Sequence, residues 1–112
     1  MCKTFQLYFL LLIFLFSFMI AEQSTDNEQL FKQGITFERM GKFQLAENIY
    51  LELLNSDPKN SRFYFQLKSL YKRNNSYLKI EKLLENRIKL FPKDFQTKVE
   101  IGDIYFKSNN KE

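Results

Sequence analysis

The chain has 112 residues, enough for one small domain, and 17 Lys and Arg against 13 Asp and Glu give it a net charge of +4. It has no histidine, no tryptophan and a single cysteine, Cys2. These absences exclude a histidine general base, Cys/His nucleophile pairs, the common zinc sites and any intrachain disulfide, so the fold must rest on packing alone.

The first element is residues 1–21, MCKTFQLYFLLLIFLFSFMIA, with a basic start at Lys3 and an almost unbroken apolar run from Leu7 to Ile20. That run is short of the ~20 residues a spanning helix needs and suits the apolar region of an export signal. It predicts an N-terminal hydrophobic signal helix and an exported protein: periplasmic, secreted or membrane-anchored, facing away from the cytoplasm. Cleavage after Ala21 and retention as an uncleaved membrane anchor are both open. Residues 22–26 read as a short polar linker.

From residue 27 onward the sequence matches itself at a shift of 34. Asp26, Asn60 and Asp94 align as helix N-caps, and Gly41, Asn75 and Asn109 as residues that tolerate the left-handed helix end. Phe37, Tyr71 and Tyr105 align, and Pro58 and Pro92 close the second helix of their units. The pattern predicts helices near 28–40, 44–56, 61–73, 77–90 and 95–107. In the second, Leu45, Ala46, Ile49, Tyr50, Leu53 and Leu54 form one stripe; in the fourth, Tyr77, Ile80, Leu83, Leu84 and Ile88 do so. Neither pair buries its stripe alone, so the pairs are expected to stack.

Gly41-Lys42 looks like the tail of a phosphate loop, but the motif requires glycine at position 36 and Ser or Thr at 43. The sequence has Thr36 and Phe43, with a helix in place of the strand that should precede. Glutamate pairs such as Glu47/Glu52 and Glu81/Glu85 read as solvated helix faces, and no cluster has metal-ligand spacing. The chain is expected to be non-catalytic, with no cofactor and no metal.

The same residues resemble the tetratricopeptide repeats. Unit 1, residues 27–60, carries Leu30, Gly34, Phe37, Gly41, Phe43, Ala46, Tyr50 and Pro58 where that family's pattern wants them. Unit 2, residues 61–94, keeps Tyr64, Leu67, Tyr71, Tyr77, Leu84 and Pro92, with Asn75 at its turn. It departs at Lys68 and Ile80, which replace small residues, so its helices are expected to splay, with the Lys68 amine led out to water. Residues 95–112 keep Ile101, Gly102 and Tyr105 in register and read as the first helix of an incomplete third unit, or as a capping helix. The resemblance implies an all-α fold: helix–turn–helix repeats of 34 residues stacked as a short right-handed α-solenoid behind the hydrophobic segment.

In the resembling family a concave groove lined by the first helix of each unit binds peptides. The corresponding positions here are Glu28, Phe31, Ile35, Glu38 and Arg39; Arg62, Phe65, Ser69, Lys72 and Arg73; and Gln96, Val99, Asp103, Phe106 and Lys107. The Lys/Asn/Arg clamp by which some members hold a terminal carboxylate is missing, since Phe31, Ile35, Phe65, Ser69, Val99 and Asp103 occupy its places. Phe31, Ile35, Phe65 and Val99 would instead form an apolar stripe for a helix or extended peptide, unless a neighbouring repeat or the N-terminal segment covers it.

These features imply a protein–protein interaction scaffold with a protein or peptide partner, and membrane association through residues 1–21. One alternative is the docking module of a longer repeat protein or multidomain enzyme. Another rests on the middle unit, where 9 basic and 3 acidic residues make a net +6. That block suits an acidic surface or nucleic acid, but nucleic acid is disfavoured because Tyr64, Tyr71 and Tyr77 fall on the core register.

Overall fold

Where the 34-residue period places proline, glycine and asparagine, the backbone turns. A computed structural model describes residues 2–110, with side chains for 3–18 and 26–110. It contains five helices: α1 (Cys2–Arg39), α2 (Phe43–Ser56), α3 (Ser61–Arg73), α4 (Tyr77–Leu90) and α5 (Phe95–Asn109). There is no strand among the described residues. Each helix packs on the next in chain order, and the molecule extends over 75 × 36 × 15 Å.

The turns repeat as the sequence does. Gly41 N–H donates to the Glu38 carbonyl and Lys42 N–H to that of Phe37, at 3.1 and 2.9 Å. At the equivalent places Asn75 N–H donates to Lys72 and Ser76 N–H to Tyr71, at 3.2 and 3.0 Å. This paired bonding closes a helix through one left-handed residue, and Gly41 (φ +76°) and Asn75 (φ +53°) supply it. The Asn60 carboxamide accepts from the N–H groups of Arg62 and Phe63, and the Asp94 carboxylate accepts from Thr97. Asn60 and Asp94 are therefore N-caps, as expected.

Three expectations fail at the ends of the chain. Asp26 caps nothing, because residues 22–26 are helical rather than a linker. No glycine or proline occurs before Gly34, so nothing in the sequence stops the helix that the apolar run begins. Second, the apolar segment is no separate signal helix but the first half of α1; among the described residues no helix is long and apolar enough to cross a membrane. Its side chains from Lys3 to Phe18 are exposed. Third, Asn109 is still helical, and Asn110 at the end of α5 keeps φ at −83°. The left-handed geometry of Gly41 and Asn75 does not recur there.

The core is one cluster spread along the stack. It holds Phe31 of α1; Ala46, Ile49, Tyr50 and Leu53 of α2; Phe63, Tyr64, Leu67, Leu70 and Tyr71 of α3; Ile80, Leu83 and Leu84 of α4; and Ile104 of α5. Leu30, Ile35, Phe37, Tyr77 and Ile101 pack against its edge. At Gly34, α2 presses directly on α1: a Cβ there would lie 2.7 Å from Tyr50 Cε1. Lys68 and Ile80 stand where unit 1 has Gly34 and Ala46, and α3 meets α4 over fewer residues than α1 meets α2. The expected exit of the Lys68 amine to water does not occur. The Lys68 amine turns to Glu100 of α5 at 3.0 Å and lies near the Tyr64 and Phe65 rings, 5.2 and 5.0 Å from their centroids. A carboxylate within reach outcompetes water for an ammonium held over aromatic faces.

Candidate functional site

The residues expected to line a groove belong to α1, α3 and α5, and these three helices are laced together by charge. Arg62 of α3 pairs with Glu28 of α1 at 2.8 Å. Arg73 pairs with Glu38 of α1, and Gln66 Nε2 donates to Glu38 Oε2 at 2.9 Å. On the other side Lys68 and Lys72 of α3 both reach Glu100 of α5, at 3.0 and 2.5 Å. Burial alone would raise the Glu100 carboxyl, but the hydrogen bonds from Lys72 and Lys68 outweigh it and hold the group below the usual glutamate range.

This lacing changes what the expected residues do. Phe31 is 2% exposed: the Arg62 guanidinium covers its ring at 4.2 Å, and Phe63 and Tyr50 flank it at 5.5 and 5.9 Å. The neighbouring unit thus closes the groove at its α1 wall, because an arginine on α3 finds both a ring and a carboxylate on α1. Ile35 is half-buried at the core edge. Glu38, placed in the groove by its position, is 7% exposed and structural. It accepts from Tyr50 Oη at 2.7 Å as well as from Gln66, so one carboxylate joins α1, α2 and α3.

The other half of the expected groove is open. Phe65 of α3 is 52% exposed, and Val99 and Phe106 of α5 are 67% and 71% exposed. Ser69 and Asp103 are exposed, and Lys72 is exposed but committed to Glu100. The exposed apolar side chains among the expected groove residues are therefore Phe65, Val99 and Phe106, and Phe95 of α5 is a further exposed ring. Phe31 and Ile35 do not belong to it.

Two constellations were not anticipated. Glu47 of α2 accepts from Tyr71 Oη at 3.0 Å and from Lys79 Nζ of α4 at 2.8 Å, tying three consecutive helices. Burial and the adjoining Glu47 carboxylate raise the Tyr71 phenol well above its usual range, so it stays a donor. Arg87 of α4 lies over the rings of Tyr64 and Phe91, at 4.5 and 4.0 Å, and its Nη2 donates to Ser61 Oγ at 3.2 Å. The 34-residue register held a hint of this second one: Arg87 occupies the place of Leu53, a core residue of unit 1.

The basic block of unit 2 is largely neutralised from within. Arg62, Lys68, Lys72, Arg73, Lys79 and Arg87, six of its nine basic residues, have carboxylate partners. Tyr64 and Tyr71 are buried and offer no ring for base stacking. Among the described residues no group of three or more Cys, Asp or Glu is placed to hold a metal ion.

A scan against protein-family models matched none, and a search of curated proteins gave no match either.

Proposed function

We propose that the chain is an exported, non-catalytic scaffold of tetratricopeptide type, which binds a peptide or helix of a partner protein. Its helix pairs would continue as a right-handed α-solenoid whose first helices, α1, α3 and α5, form the binding face. The observation that carries this reading is the exposure of the apolar side chains Phe65, Val99 and Phe106 on helices otherwise tied together by internal ion pairs. Apolar side chains left bare next to satisfied charges mark where affinity for a partner is available. The repeated turn bonding at Gly41 and Asn75 supports the family assignment.

The exposed apolar half of α1, with Lys3 ahead of it, supports export. Residues 1–21 direct the chain out of the cytoplasm and are then removed after Ala21 or retained as an anchor. Mass-spectrometric determination of the N-terminus in fractionated cells decides between these, and recovery of the intact chain in the cytoplasmic fraction would refute export.

The binding reading is tested by Phe65→Glu. Capture of an envelope partner should be lost while helicity, measured by circular dichroism, is unchanged; unaltered capture would remove this face from consideration. A second reading, a docking module within a longer repeat protein, is favoured by the open outer face of α5. An acidic-surface or nucleic-acid role finds less support, because six of the nine cations are already paired. Retention on DNA or RNA with a steep salt dependence would revive it.

A further inference from the structure

The stripe of α1 that faces α2 and α3 is spelled out by positions 27, 31, 34 and 38, which share one side of a helix. In α1 these are Asn27, Phe31, Gly34 and Glu38, all partly or fully buried, with Tyr50 of α2 seated on Gly34. Sixty-eight residues on, the same positions in α5 are Phe95, Val99, Gly102 and Phe106. All four are exposed, and a Cβ at Gly102 would meet nothing within 4 Å. The opposite side of α5, through Thr97 and Ile104, is the one buried against the stack. The packing that runs α1 to α2, α2 to α3, α3 to α4 and α4 to α5 thus reaches a face built like an occupied one.

Charge describes the occupant further. On α2, Glu47 binds Tyr71 and the Lys79 amine at the start of α4. Thirty-four residues later stand Glu81 and Tyr105, at a cleft of about 690 Å³ between the start of α4 and the end of α5. Here no cation completes the set: among the described residues neither Glu81 nor Glu85 has an ion-pair partner, and Tyr105 Oη donates to Glu85 at 3.0 Å.

We infer that the outer face of α5, Phe95–Val99–Gly102–Phe106 with Glu81 of α4, docks one amphipathic helix of a partner protein. That helix carries a lysine in its first turn, for Glu81, and an aromatic side chain that seats on Gly102. The inference deepens the partner-binding reading above, sharing Val99 and Phe106 with it, but it requires no contribution from α1 or α3.

The probe is a labelled synthetic peptide of residues 42–57 with Leu45→Lys, which puts the lysine of α4 into the frame of α2. It is titrated onto the full-length chain in detergent micelles. Binding should be saturable and at least tenfold tighter than that of a scrambled peptide. Gly102→Leu should weaken it at least tenfold without lowering the melting temperature, since Gly102 touches nothing and leucine favours helix over glycine. Glu81→Lys should weaken it severalfold, and a peptide with Leu45→Glu should recover the loss. Exchange with the protein's own α2 would not depend on Gly102, and Phe65→Glu should leave this binding intact while abolishing groove capture, so the two readings fail separately. Equal binding of the scrambled peptide, indifference to Gly102→Leu, or Gly102-dependent self-association of the chain without peptide would each overturn the proposal.

Discussion

The first helix pair and the last helix use the same register for opposite ends. Gly34 in α1 and Gly102 in α5 occupy one position of the 34-residue period, yet the first is pressed against Tyr50 and the second touches nothing. Phe31 and Val99 are likewise equivalent, one sealed under Arg62 and one open. Periodicity decides which side of a helix is prepared for packing, and the neighbour in space decides whether that side is core or surface. A glycine at such a position destabilises its own helix and is justified only by what it admits.

The largest break in this comparison should come from Tyr50→Ala. It strips the cover from Gly34 and Phe31 and removes a partner of the buried Glu38, and should cost about 4 kcal/mol in denaturant unfolding. Tyr105→Ala at the exposed α4–α5 edge should cost well under that. Next, Gly34→Ala and Gly102→Ala should differ in sign. The first forces a methyl into Tyr50 and should lose about 1–3 kcal/mol. The second adds helix propensity in open space and should gain up to about 1 kcal/mol. Unfolding curves of the two variants measured side by side check this.

The turns give a smaller contrast. Gly41→Ala places a Cβ in left-handed backbone and should cost about 1–2 kcal/mol. Asn75→Ala swaps a residue that tolerates this backbone for one that tolerates it less and should cost less than that, whereas Asn110→Ala, where φ is −83°, should be near neutral. Smallest is the response to acid of the Lys68–Glu100–Lys72 cluster that holds α5 to α3. The folded-state carboxyl sits below the usual glutamate value of 4.5, so its contribution is fully present above that pH. It is lost as pH falls through the lower folded value. Amide-exchange protection in α5, taken relative to the intrinsic rate at each pH, should therefore fall as pH is lowered below 4.5, and Glu100→Gln should flatten this response.

Much of this architecture was legible because it is local. The bounds of α3 and α4, the caps at Asn60 and Asp94 and the turns at Gly41 and Asn75 all follow from residues within a few positions of one another. The failures involve a distant partner or a missing one. Asp26 has the chemistry of a cap, but the helix already running through it leaves no free amide to accept from. Lys68 and Glu38 look like surface charges until Glu100, Tyr50 and Gln66 arrive from other helices. Phe31 looks like groove lining until Arg62, thirty-one residues later, folds over it. The apolar part of the candidate site on α3 and α5, Phe65, Val99 and Phe106, is exposed because nothing among the described residues covers those side chains.

The most direct test needs no substitution. A soluble paramagnetic agent is added to the isotope-labelled chain and the broadening of the two glycine signals is compared by NMR. If equivalent positions are closed at one end of the stack and open at the other, Gly102 and the Val99 methyls broaden strongly while Gly34 is spared. Equal broadening of Gly34 and Gly102, or protection of Gly102, would contradict the account.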